Sequence, residues 1–173
     1  MLFRSIDVLP GGKEKQTLLT TGITWLNHRD DSPEWNYVWR TLIDVLPGGK
    51  EKQTLLTTGI TWLNNRDDSP EWSHVWEKLI DVLPDGKEKQ ALLTTGITWL
   101  DNRDDSPEWN YVWQKLIDVL PPGLEKSTLL KKGNKWLQGR ENRPEYPHVK
   151  RKLDAHQTSS PFSGLSALLK AKR

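Results

Sequence analysis

The chain has 173 residues, a net charge of +2, 35% hydrophobic residues, ten tryptophans and no cysteine. This length is typical of one domain with a sizeable core, and the lack of cysteine excludes disulfides and thiolate metal sites. No segment approaches the roughly 18 apolar residues of a membrane span, and the first residues lack a signal-peptide core, so we expect a cytoplasmic protein without a membrane partner.

A unit of 37 residues occurs four times, at 6–42, 43–79, 80–116 and 117–153. The first and second units differ at five positions and the second and third at six, whereas the fourth keeps the frame but changes much of its surface. Periods of about 20 to 50 residues indicate stacked supersecondary units that bury their apolar faces against neighbours. The near identity of the copies is typical of recent duplication or of deliberate engineering.

The first half of each unit predicts a helix. In the second unit the break at 47–49 precedes a segment with helical periodicity, and we expect this helix at about residues 51–65. Its apolar face includes Leu55, Gly59 and Trp62. The glycine recurs in every copy although it costs about 1 kcal/mol in a helix interior, which indicates close backbone approach by the paired helix.

The second half of each unit predicts another helix. Ser69 is expected as its N-cap, with Pro70 at the first helical position and Pro84 after its end. The residues between have the spacing of an amphipathic stripe: Trp72, Val75, Trp76, Leu79, Ile80 and Leu83. We therefore predict an all-α fold, an α-solenoid of four stacked helix-turn-helix repeats.

The spacing of Leu55, Gly59 and Trp62 resembles the first helix of the tetratricopeptide-like superfamily. The chain differs from that family in its 37-residue unit and in the tryptophans, Trp72 and Trp76, that replace small residues in the second helix. The motif TGxxWL followed by SPEWxxVW is also similar to Trp-rich repeats of bacterial sensor proteins, including receptor-like ATPases of defence systems. The resemblance covers residues 6–153 and implies a ligand-sensing repeat region of a larger receptor.

The two ends depart from the repeat. Residues 1–9 align with the end of a second helix, so we expect a partial N-terminal helix and a piece of a longer array. The fourth unit replaces two tryptophans by Tyr146 and Lys150 and three threonines by Lys131, Lys132 and Lys135, as a terminal cap requires. We predict a repeat array over 1–154 and a linker with a C-terminal capping helix over 155–173. Incompletely covered ends also predict homo-oligomers.

The differences among the first three units predict a partner-binding face on the second helices. These positions lie off the tryptophan stripe at helical spacing, and we expect them to share one solvent face, although neutral drift on a surface is the simpler explanation. They are Asn36, Tyr37, Arg40, Ser73, His74, Glu77, Asn110, Tyr111 and Gln114. A second polar row, on the first helices, comprises Thr57, Thr58 and Thr61 and their equivalents.

These features favour a protein- or peptide-binding scaffold, natural or engineered. The alternative is nucleic-acid binding through the basic last unit, because residues 117–173 hold 12 Lys or Arg against 5 Asp or Glu. The candidate basic patch comprises Lys131, Lys132, Lys135, Lys150, Arg151 and Lys152. Few aromatics remain off the buried stripe to stack bases, which makes this alternative the weaker one.

The sequence shows no pattern typical of an enzyme. The acidic loops, such as Asp30, Asp31 and Glu34, lack the glycine turn of a calcium site and are better explained as helix caps. The four histidines have no zinc-ligand spacing, and no phosphate-binding loop is present. We expect no catalytic residues, no metal and no cofactor.

Overall fold

The computed structural model describes residues 12–158, which form eight helices and no strand. The helices are α1 Lys13–His28, α2 Trp35–Val45, α3 Gly49–Asn65, α4 Trp72–Val82, α5 Lys87–Asn102, α6 Trp109–Val119, α7 Leu124–Leu137 and α8 Tyr146–Thr158. They belong to two compact units, Met1–Thr94 and Thr95–Arg173, whose boundary falls inside α5. The predicted class, an all-α array of helix-turn-helix repeats, is confirmed.

The first unit contains two complete hairpins. Helix α1 packs on α2, and α3 packs on α4. Helix α2 also contacts both α3 and α4, so each helix of the second hairpin lies against the first hairpin. The beginning of α5 completes this unit, where Trp76 Nε1 donates a hydrogen bond to the Leu92 carbonyl over 2.8 Å.

The second unit repeats this arrangement. Helix α7 packs on α8, and α6 contacts both of them. The end of α5 joins the unit through Trp109, whose indole nitrogen donates to the Leu100 carbonyl over 3.2 Å. Each unit thus contains one complete joint between successive hairpins, and the two joints can be compared residue by residue.

Stacked tryptophans form the core of each joint. In the first unit Trp35 stacks on Trp39 with ring centroids 5.9 Å apart and on Trp62 at 5.0 Å. Trp62 comes from the next repeat, and its indole nitrogen donates to the Asp30 carbonyl over 2.9 Å. Buried indoles with a satisfied N–H combine large apolar area with a fixed orientation. The stripe predicted from the spacing is therefore the core, and it also connects neighbouring hairpins.

The repeated glycine makes room for one of these indoles. A Cβ added to Gly59 would lie 2.5 Å from Cζ2 of Trp39, and one on Gly133 would lie 2.5 Å from Cζ2 of Trp113. The expected close approach to the glycine is present, but the group that approaches it is not the one expected. A side chain from the second helix of the preceding repeat approaches the glycine, rather than the backbone of the hairpin partner.

The second helices begin two residues later than the N-cap prediction implies. Helix α4 starts at Trp72, whose backbone N–H donates to the Ser69 carbonyl over 3.1 Å and closes a tight turn before the helix. The Ser69 hydroxyl accepts from the Glu71 backbone N–H over 3.2 Å. Ser69 therefore caps this leading turn rather than the first residues of the α-helix. The first helix, at 49–65, starts two residues earlier than expected.

Helix α8 continues through Thr158, so residues 155–158 are helical instead of forming the start of the predicted linker. The predicted partial helix at the N-terminus and the predicted capping helix near the C-terminus lie outside the described residues. The prediction that homo-oligomers form through the ends depends on those same segments.

Candidate functional site

The predicted partner-binding face on the second helices is not one solvent face. Ser73 and Asn110 are each only 3% exposed, and Asn36 is half-buried. Asn36, Ser73 and Asn110 occupy the same position in successive repeats, 37 residues apart. The expectation that this position faces solvent is therefore wrong. It lies at the joint between hairpins, which the periodicity of a single helix cannot reveal because the neighbouring repeat is not part of that helix.

The buried variable position makes different contacts in different copies. In the first unit Asn36 Nδ2 donates to the Glu71 carboxylate of the next repeat. In the third repeat Asn110 Nδ2 donates to the Pro107 carbonyl over 3.2 Å, and Gln114 Nε2 donates to Asn110 Oδ1 over 2.8 Å. The Ser73 hydroxyl is buried with no hydrogen-bond partner among residues 12–158. Only the contact of Asn36 crosses to the next repeat, but Ser73 and Asn110 are buried, so we assign no ligand contact to this position.

Alanine substitutions at the equivalent positions Ser73 and Asn36 should change the free energy of unfolding in opposite directions. Ser73→Ala should raise the free energy of unfolding by about 0.5–1 kcal/mol, because it removes an unpartnered buried hydroxyl and improves helix propensity. Asn36→Ala should lower it by about 1 kcal/mol, because the amide hydrogen bond to Glu71 is lost. Urea denaturation followed by circular dichroism measures both changes. Equal signs would show that this position is not governed by its hydrogen bonds.

The other variable positions are largely exposed. Tyr37 and Tyr111 are 51% and 61% exposed, and Arg40, His74 and Glu77 are exposed as well. Gln114 is half-buried through its hydrogen bond to Asn110. What remains of the predicted face is thus a set of exposed side chains on each of these second helices.

The predicted threonine row lines a groove in the first unit, which we name the threonine groove. It lies between the first two hairpins, has a volume of about 430 Å³ and contains Thr57, Thr58 and Thr61 in one wall. The complete lining is Leu26, Asn27, Asp30, Trp35, Thr54, Thr57, Thr58, Thr61, Trp62, Asn65 and Arg66. A volume of this size is within the range of ligand-binding clefts.

The threonine groove offers hydrogen-bond acceptors. The hydroxyls of Thr57, Thr58 and Thr61 each donate to the backbone carbonyl four residues earlier, over 3.0 to 3.1 Å. Their donors are therefore used within α3, and the oxygen lone pairs remain available to a ligand. Asp30 and Arg66 form an ion pair over 3.1 Å at the end of the groove, so their charges are balanced.

An equivalent groove occurs in the second unit, which we name the lysine groove. It has a volume of about 410 Å³, and Lys132 and Lys135 take the positions that Thr58 and Thr61 hold in the threonine groove. Its complete lining is Leu100, Asp101, Asp104, Trp109, Lys132, Lys135, Trp136, Gln138 and Arg140. The two grooves thus share a frame and differ in charge.

An ion pair across the joint accompanies this change. Lys132 Nζ contacts Asp101. The first two repeats have an asparagine, Asn27 and Asn64, at the position of this aspartate. Burial lowers the pKa of the Lys132 ammonium, and the nearby charge of Lys135 lowers that pKa further. The coincidence of an aspartate in the third repeat with a lysine in the fourth is a signal in the sequence, which the periodicity of a single helix does not show.

The predicted basic patch is divided by ion pairs. Lys132 pairs with Asp101, Lys152 with Asp118, and Lys150 with Asp154 over 3.7 Å. The other three members, Lys131, Lys135 and Arg151, are exposed. Only part of the positive charge counted from the sequence is therefore available to an anionic ligand.

The acidic loops form ion pairs between repeats. Arg140 contacts Asp104 and Asp105, each over 3.2 Å, and Arg143 contacts Asp105 over 3.4 Å. Arg140 also lies over the Trp136 ring, 5.3 Å from its centroid. Sequence reasoning assigned these loops to helix capping alone and missed their pairing with arginines one repeat later. Between residues 12 and 158 no cluster of three His, Asp or Glu side chains could hold a metal ion.

Comparison of the chain with models of known protein families, with curated proteins and with solved structures gives no match. None of the helices in the described part of the chain has both the length and the apolar composition needed to cross a membrane.

Proposed function

We propose that the chain is a helical-repeat scaffold that binds protein segments or peptides in the grooves between successive hairpins. The observation that carries this proposal is the pair of equivalent grooves. Both keep the same buried indoles at their base, while the side chains of the wall change from threonine to lysine. A constant base with a changing wall is what we expect where selection acts on a ligand rather than on packing.

The chemistry of the threonine groove supports a peptide as its ligand. Its wall offers hydroxyl lone pairs and threonine methyl groups, and Asn27 and Asn65 also line the groove. A peptide backbone supplies N–H donors at regular spacing and can match such acceptors. The resemblance to tetratricopeptide-like repeats forms part of this proposal, since those repeats are protein-binding modules.

The nucleic-acid alternative has weaker support. Three of the six residues in the basic patch are paired with aspartates, and Trp109 and Trp136 are 1% and 3% exposed, so their rings offer no open face for base stacking. RNA binding would show a steep dependence on salt concentration, and this measurement separates it from peptide binding.

Peptide selection should identify ligands whose binding depends on the threonine groove. We expect peptides enriched from a displayed random library to bind the full chain and to lose about tenfold in affinity to the variant Thr57→Ala/Thr58→Ala/Thr61→Ala. Loss of several contacts worth about 0.5 kcal/mol each accounts for this change. Fluorescence polarisation with labelled peptides measures the affinities.

The chain offers a matched control for this experiment. Thr20, Thr21 and Thr24 hold the equivalent positions on α1, where they line a separate open cavity, so their replacement by alanine should leave the affinity for peptides in the threonine groove unchanged. Binding that is lost instead with His74→Ala or Tyr37→Ala would place the site on the second helices. Peptides unaffected by all of these substitutions would argue against a groove-based function.

A further inference from the structure

We propose that the lysine groove selects acidic peptide segments, whereas the threonine groove does not. This inference rests on the proposed function, since it assigns a ligand chemistry to one of its two grooves. Thr57, Thr58 and Thr61 of the second repeat correspond to Lys131, Lys132 and Lys135 of the fourth repeat, each 74 residues later.

The charges in the lysine groove are not balanced. Lys132 is neutralised by Asp101, and Arg140 is neutralised by Asp104 and Asp105. Lys135 is exposed and has no carboxylate partner among residues 12–158. In the threonine groove, by contrast, the one aspartate and the one arginine of the lining pair with each other. One cation therefore remains available in the lysine groove and none in the threonine groove.

A ligand carboxylate would relieve an unfavourable interaction. Lys132 and Lys135 lie one helical turn apart on α7, and the charge of Lys135 already lowers the pKa of Lys132. A carboxylate between the two ammonium groups would be attracted to both and would reduce their mutual repulsion. An ammonium group donates hydrogen bonds and accepts none. The wall of the threonine groove therefore favours N–H donors of a ligand, whereas the wall of the lysine groove favours acceptors.

The same groove is poorly suited to a nucleic acid. Lys132 and Arg140 are already paired with Asp101 and Asp104, so Lys135 is the one lining cation left for the many charges of a phosphate backbone. The indoles at its base are buried. A peptide can place one acidic side chain at Lys135 and keep uncharged groups near the aspartates, whereas a polynucleotide carries a charge at every residue.

The affinity of a defined probe tests this inference. The probe is a short fluorescein-labelled peptide of alternating glutamate and serine, and its control has glutamine in place of glutamate. We expect the full chain to bind the glutamate peptide at least about fivefold more tightly at low salt, with a smaller difference at high salt, because exposed charge pairs are weak and screened.

Exchange of residues between the grooves provides matched variants. Asp101→Asn/Lys132→Thr/Lys135→Thr places at these three positions of the lysine groove the residues that Asn27, Thr58 and Thr61 supply in the threonine groove. This variant should lose the preference for glutamate. The reverse exchange, Asn27→Asp/Thr58→Lys/Thr61→Lys, should create a second acidic-peptide site and double the number of glutamate peptides bound per chain. Circular dichroism verifies that both variants are folded.

Equal affinities for the two peptides, or a glutamate preference that survives the first exchange, would overturn the inference. The inference would also be overturned if an RNA oligonucleotide bound more tightly than the glutamate peptide and if the same exchange abolished that binding. The groove would then be a nucleic-acid site. If library peptides still depend on the threonine groove, the proposed function stands while this inference fails. If neither groove affects any peptide, the proposed function fails as well.

Discussion

Trp76→Ala should lower the free energy of unfolding by about 3–5 kcal/mol, the usual range for deletion of a buried aromatic side chain. The Trp76 side chain is completely buried, stacks on Trp72 with centroids 6.0 Å apart and donates its indole N–H to the Leu92 carbonyl. Its removal leaves a large cavity and also breaks the contact with the first turns of α5. Guanidinium denaturation followed by far-ultraviolet circular dichroism measures the change.

The control for this substitution is an exposed aromatic residue on the equivalent helix. Tyr37 is 51% exposed, and Tyr37→Ala should change stability by no more than about 0.5 kcal/mol. In an array of nearest-neighbour contacts, the loss at Trp76 should extend to the adjoining hairpin. A cost below about 1 kcal/mol at Trp76 would mean that the indole does not hold these helices together.

Gly59→Ala should also be destabilising, although alanine is the better helix former. The new methyl group would lie 2.5 Å from Cζ2 of Trp39, and this ring cannot move freely because its N–H donates to the Leu55 carbonyl over 2.8 Å. We expect a net cost of about 1–3 kcal/mol, typical of overpacking in a dense core. Thermal and urea denaturation both report this cost.

A double-mutant cycle identifies the cause. In a Trp39→Leu background the space beside residue 59 is larger, so the same Gly59→Ala change should become neutral or should stabilise by up to about 1 kcal/mol. If the cost is the same in both backgrounds, the glycine is needed for a reason other than the approach of the indole.

Most of the fold could be predicted from the sequence because three repeats show the same pattern with little variation. The positions of Trp72, Trp76 and Leu79 at helical spacing are enough to define the buried stripe of a second helix. The exact start of that helix could not be predicted, because Ser69 and Pro70 are compatible with either a capped α-helix or a tight leading turn. Hydrogen-bond geometry distinguishes the two, and the sequence does not contain it.

The candidate site was only partly predictable. The groove threonines were identified because they recur off the apolar face of their own helix. The burial of Ser73 was missed because it depends on contacts with another repeat, one period away. The ion pair between Asp101 and Lys132 leaves a trace in the sequence as two coincident changes, and comparison of the copies at the separation of neighbouring hairpins would have found it.

The stacked indoles also give the folded chain an optical signature. In the second unit Trp113, Trp109 and Trp136 form a row of nearly parallel rings, with successive centroids 5.9 and 5.1 Å apart and planes within 12°. At such separations the electronic transitions of neighbouring indoles couple, so excitation energy migrates along the row before it is emitted. The native state should therefore show depolarised tryptophan emission and a split band in the near-ultraviolet dichroism, and both signals vanish when the rings separate.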